Sequence, residues 1–259
     1  MTVISAILVA FSMFSAIPVP QPKWNEKTMK YSMAAFPLVG VVTGLCLWGL
    51  LWLLSRLNAN VFSCAAAVTL LPVILSGGIH LDGYTDTADA LASHADKEKR
   101  YAILADPHVG SFAVIRLVTL FLATFALLTQ FYFDWRSTAV LGASYVLSRA
   151  LSGLAVVEFP VAEKSSLAKQ FSDTAGKRIV IAFLMIFAIA ACTIMLYIGQ
   201  WVGAAAILSA FVVFVHYRIL CTRKFDGLSG DLAGWFLTKA EFWMLFVIIL
   251  VQRLTEVLA

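Results

Sequence analysis

Five stretches of this chain, at about 34–54, 60–79, 117–133, 179–199 and 200–217, run for close to twenty residues without a charge. A helix rises about 1.5 Å per residue, so a run of this length covers the ~30 Å hydrocarbon core of a bilayer. Three further apolar runs, 3–19, 137–157 and 232–251, are short or carry an ionisable interruption, giving eight candidate helices. The chain is 61% hydrophobic and 13% charged, where soluble domains carry about a quarter charged residues. These features predict an all-α, polytopic membrane helix bundle of about 7–8 membrane helices in a single domain, 1–259. The first run has no preceding Lys or Arg and is closed by Pro18 and Pro20, so it reads as a short span or a re-entrant helix rather than a secretory signal. Cys46, Cys64, Cys192 and Cys221 form no CxxC pair, which supports neither a disulfide framework nor a zinc site.

The connections alternate in character. Long loops at 18–33, 80–109, 158–178 and 221–231 hold nearly all the loop cations, from Lys23 to Lys224, whereas the short loops have Arg56 and Arg136. The positive-inside rule then puts the long loops in the cytoplasm, and with them Asp82, Asp86, Asp89, Asp106 and Asp231.

Within one long loop stands Gly77-Gly78-Ile79-His80-Leu81-Asp82-Gly83-Tyr84-Thr85-Asp86-Thr87-Ala88-Asp89. Its three carboxylates sit at offsets 0, 4 and 7, within about 60° of one another on a helix face. Like charges so placed repel, and a divalent cation removes the conflict; Mg²⁺ prefers such hard oxygen ligands. The bland alternative is a solvated acidic face at a membrane boundary, and His80 falls off the carboxylate stripe. Asp106, in Leu104-Ala105-Asp106-Pro107-His108-Val109-Gly110-Ser111, sits on a rigid turn before the next span. In Asp226-Gly227-Leu228-Ser229-Gly230-Asp231 the glycines permit close backbone approach, and the helix start beyond suits an anion; the plain reading is a turn with Asp231 as N-cap. Arg116, Arg149, Lys239 and Glu241 interrupt apolar runs, which marks a polar cavity or an interhelical ion pair. Lys239 and Glu241, two apart, cannot share a helix face. Nothing in the chain resembles a nucleic-acid surface.

GGIHLDGYTDTADAL resembles the signature of the cobalamin synthase family, the adenosylcobinamide-GDP ribazoletransferases. The similarity extends in matching order through Phe11–Pro20, Phe36-Pro37-Leu38-Val39-Gly40, the Asp106 loop, Ser148-Arg149-Ala150, and Ser229-Gly230-Asp231 with Gly234 and Glu241. Ala90, Ser229, Asp226, Thr238 and Ser165-Ser166-Leu167 depart from the usual pattern. The resemblance implies a transferase that joins adenosylcobinamide-GDP to α-ribazole or its 5′-phosphate and releases GMP. It implies Mg²⁺ as cofactor, held by Asp82, Asp86, Asp89 and Asp106, with Asp231 completing the catalytic set. His80, Arg149, Ser229, Gly230 and Glu241 are then expected at the substrate and its phosphates. A multi-pass place in the bacterial cytoplasmic (inner) membrane follows, with the lipid bilayer as surroundings and a homo-oligomer compatible with the sequence. A CDP-alcohol phosphotransferase is the rival enzyme, although its DGxxAR pattern fails at Tyr84-Thr85-Asp86-Thr87. A transporter with an acidic ion site is the rival of another class.

Overall fold

A computed structural model describes residues 2–22, 24–162 and 176–258. Lys23 and the Ser165-Ser166-Leu167 segment, both named above, lie outside the described residues. The described chain is helical throughout: α1 (Thr2–Phe14), α2 (Glu26–Arg56), α3 (Val61–Ser76), α4 (Ile79–Ala92), α5 (Lys97–Leu104), α6 (Ser111–Leu128), α7 (Trp135–Glu158), α8 (Lys177–Lys224) and α9 (Gly230–Leu258).

Among the described residues five helices are long and apolar enough to cross a membrane, and the bent pair α3–α4 would make a sixth. α8 is two helices. At 48 residues it would stretch about 72 Å, over twice the hydrocarbon core. Its helical geometry breaks at Gln200, with φ 49° and ψ −121°. A Cβ on Gly203 would collide with the carbonyl of Met195, eight residues earlier, so the chain folds back on itself there. The two uncharged runs 179–199 and 200–217 are therefore the two arms of a hairpin, in keeping with the expected number of spans.

α7 is the central post. Most of it is buried, Ser144, Ser148 and Ser152 included, and its small residues let neighbours approach closely. A Cβ on Gly40 of α2 would lie 2.5 Å from the Tyr145 carbonyl oxygen, and one on Gly44 would lie 3.1 Å from that of Gly142. The glycine of Phe36-Pro37-Leu38-Val39-Gly40 is thus a helix-contact residue.

α1 has 13 residues, about 20 Å, and falls short of a full crossing. The chain just beyond it docks on the α3–α4 corner, where the Ala16 amide donates to the Leu75 carbonyl at 2.8 Å. α2 begins earlier than its apolar run. Asn25 and Thr28 form a reciprocal capping box, so residues read as part of a charged loop are already helix.

Candidate active site

The site begins with two glycines. Gly77 (φ 66°) and Gly78 (φ 83°) hold left-handed backbone that other residues adopt with difficulty, and they turn α4 through 95° from α3. So turned, α4 does not continue the axis of α3 across a bilayer. It lies instead at one end of the bundle, against the first turns of α6 and α9.

Contact with α9 is made backbone to backbone. A Cβ on Gly83 would lie 2.6 Å from the Asp231 carbonyl oxygen, and one on Gly234 would lie 3.0 Å from that of His80. Two glycines therefore set the separation of the helices and bring Asp82 and Asp86 beside Asp231. Ser229, rather than Asp231, caps α9: its hydroxyl accepts from the Leu232 amide at 3.3 Å. Asp231 is left to face α4. Gly230 begins α9 and lines the cavity beside Asp82. Gly227 (φ 141°) holds the preceding turn against Val161 and Ala162. Lys97 pairs with Asp226 at 2.7 Å, fastening α5 to the same turn.

The resulting electrostatics are unfavourable for an unliganded protein. Partial burial, then the charges of Asp82, Asp231 and Asp89, push the Asp86 carboxyl up to about 6. Asp82 is exposed and Asp86 is half-buried, so the cluster opens toward solvent.

Asp89 and Asp106 have other partners. The Asp89 carboxylate accepts from the Ala113 amide at 3.3 Å and packs on Gly110, standing in for the side-chain cap that α6 lacks. Asp106 bonds within its own loop, to the His108 amide at 2.9 Å and to His108 Nδ1 at 2.7 Å, and these bonds hold its carboxyl below the usual range. The four carboxylates expected to hold Mg²⁺ thus differ in their present partners. Asp82, Asp86 and Asp231 share one neighbourhood; Asp89, whose charge also reaches Asp86, bonds to the start of α6, and Asp106 bonds within the preceding loop. Among the described residues no three His, Cys, Asp or Glu side chains converge on a single metal position. The Asp82–Asp86–Asp231 cluster still has the donor chemistry Mg²⁺ prefers, and that ion usually keeps several waters beside one or two carboxylates.

Arg149 and Glu241 occupy a different place. Arg149 is 1% exposed on α7, and its guanidinium pairs with Glu241 of α9. Ser148 Oγ also donates to that carboxylate at 3.0 Å, and Arg149 Nη1 donates to the Tyr145 carbonyl at 2.9 Å. This is the interhelical ion pair among the sequence readings, reached by a small cavity of about 90 Å³ that His80 also lines. Lys239 points elsewhere, into an outer groove with His216, Trp235 and Trp243, as the two-residue spacing requires. His80 is buried with no partner for Nε2; burial, then the Arg149 charge, lower its imidazole to about 3, which keeps it neutral.

Sequence reasoning missed Gly83 and Gly234 as the crossing point. It also missed Met33, Phe36 and the end of α1 as neighbours of Asp82. The signal for the crossing was present in the glycine directly after Asp82, inside an otherwise helical pattern.

Comparison with known proteins identifies the family. The family model described as cobalamin-5-phosphate synthase matches residues 6–249. A Lachnoclostridium phytofermentans protein named adenosylcobinamide-GDP ribazoletransferase is 38% identical over 238 residues, covering 92% of this chain and 90% of its own length. Proteins of the same name from Clostridium perfringens and Pseudomonas syringae pv. syringae are 32% and 31% identical, each spanning more than nine-tenths of both chains. No solved structure matches.

Proposed function

Because this chain belongs to the cobalamin-5-phosphate synthase family and is a transferase of that kind, we propose that it joins adenosylcobinamide-GDP to α-ribazole, or to its 5′-phosphate, at the Asp82–Asp86–Asp231 cluster. The relatives' names supply both substrates. A ribazole hydroxyl oxygen forms a bond to the cobinamide-side phosphorus, the bond from that phosphorus to the GMP oxygen breaks, and GMP leaves. The hydroxyl proton passes to a carboxylate of the cluster. Phosphoryl transfer of this kind depends chiefly on positioning and charge neutralisation.

The observation that carries the reading is the backbone crossing at Gly83, which holds carboxylates of like charge together, with no cation acting on Asp86 among the described residues. Asp82, Asp86 and Asp231 would hold Mg²⁺ there, and Asp89 would stay with α6. Bound Mg²⁺ would neutralise the diphosphate oxygens and lower the cost of bringing phosphates to an acidic site. Gly230 and the start of α9 would meet the phosphates, while Arg149 and Glu241 hold α7 to α9 behind them. The loop charges favour a cytoplasmic site in a bacterial inner membrane.

The test is a product assay on detergent-purified protein with both substrates, with and without Mg²⁺. Cobalamin and GMP formed in equal amounts, and lost on chelation, is the expected result. No product from either substrate pair would overturn the reading; product indifferent to chelation would overturn the metal.

A further inference from the structure

A cavity of about 240 Å³ lies directly against the carboxylate cluster, with Asp82 and Asp231 on its rim. Its walls are largely apolar and come from five helices: Met13 and Phe14 of α1, Met33 and Phe36 of α2, Ile79 of α4, Val156 of α7 beside the hydroxyl of Ser152, and Leu237 of α9. Phe14 and Phe36 face each other with ring centroids 4.3 Å apart, and Phe36 stands 6.0 Å from the His80 ring. His80 lines the same cavity, and its buried Nε2 has no hydrogen-bond partner. A buried polar atom left unpaired carries a desolvation cost, which a partner brought by a ligand would remove.

We propose that this cavity receives the benzimidazole base of the acceptor nucleoside, with its ribose hydroxyls turned toward Asp82 and Asp231 and its free ring nitrogen toward His80. The inference rests on the transferase reading above and adds to it where the acceptor sits. Size excludes the larger substrate part: pockets for whole drug-sized ligands run about 300–1,000 Å³, so this one suits a bicyclic base and not a corrin ring. Polarity separates the two bases. Guanine buries an amino group, an amide and ring nitrogens that all need partners, and away from the rim carboxylates the walls offer only His80 and Ser152. A benzimidazole nucleoside has one unsubstituted ring nitrogen, which the imidazole of His80 in the cavity lining can meet, and an apolar edge that matches the aromatic and thioether wall. The short α1 thereby has a role, since its last turn supplies Met13 and Phe14 to the pocket.

Val156→Phe fills the cavity while leaving Asp82, Asp86 and Asp231 in place. Equilibrium dialysis of α-ribazole against the full chain in detergent reads the pocket without chemistry, and steady-state kinetics read each substrate separately. The expected result is a Kd and KM for α-ribazole raised by about tenfold or more, with the KM for adenosylcobinamide-GDP within about twofold of wild type. Phe14→Ala, which leaves the centre of the bundle intact, is the second variant, with the same selective loss expected. His80→Leu should weaken α-ribazole but not an indole riboside that lacks the free ring nitrogen. Acceptor affinity unmoved by Val156→Phe and Phe14→Ala, or a parallel rise in donor KM, would overturn the pocket and leave the transferase standing. Wild-type protein that binds α-ribazole yet forms no product would do the reverse.

Discussion

Two sets of charges meet the same helix, α9, and they are treated in opposite ways. At Glu241 the charge is answered within the protein by a buried guanidinium and a serine hydroxyl. At Asp231, ten residues before Glu241 and in the first turn of the helix, the neighbours are further carboxylates. A paired charge in a bundle holds helices together. Like charges held together by glycines repel one another, and a bound cation would relieve that repulsion.

The sharpest way to break this contrast is to neutralise each set in turn. Asp82→Asn and Asp86→Asn should each lower product formation by about 100-fold or more while leaving the melting midpoint in detergent no lower than wild type. Full activity in both variants would remove the carboxylates from the chemistry. Arg149→Met should do the opposite and act first on stability. Stranding a buried partner costs about 3–5 kcal/mol, and Arg149→Met with Glu241→Met should recover much of it because an apolar pair replaces an ion pair. Failure of the double variant to recover would mean that the pair serves substrate rather than packing. Gly83→Ala tests what joins the helices: its Cβ meets Asp231 backbone, so a loss of about 1–3 kcal/mol is expected together with loss of turnover. The smallest effect concerns Asp86 alone. Folding raises its carboxyl from 3.8 to about 6, so the folded state binds more protons between those values and stability falls as pH rises through that window. In chelator at neutral pH, Asp86→Asn should therefore melt a few degrees higher, about 2–4 °C, and the gap should close near pH 4.

The bundle was legible because hydrocarbon thickness imposes a length that can be counted, and the two arms of α8 follow from adjacent uncharged runs. The stripe of Asp82, Asp86 and Asp89 was legible for the same kind of reason, since helical spacing is local. What was not legible depends on contacts between distant segments. Asp89 looks equivalent to Asp82 along the sequence, yet Gly110 brings the start of α6 onto it and gives it a capping task. Asp106 likewise bonds to a histidine two residues on, a choice that spacing alone does not reveal. The partner of Arg149 on α9, Glu241, was also hidden, since the two lie on helices far apart along the sequence. The last turn of α1 gave no sign of reaching α2 and α9, because hydrophobic pattern tells how a helix faces apolar surroundings and not which neighbour provides them.

The crossing of α4 over α9 fixes the distance between acidic groups by main chain rather than by rotamers. A lineage drifting toward other acceptors has little freedom at Gly83 or Gly234, where any added carbon strikes backbone. Its room for variation lies in the thioether and phenyl wall a few ångströms away, so new substrate preference and preserved reactivity can be selected at separate positions.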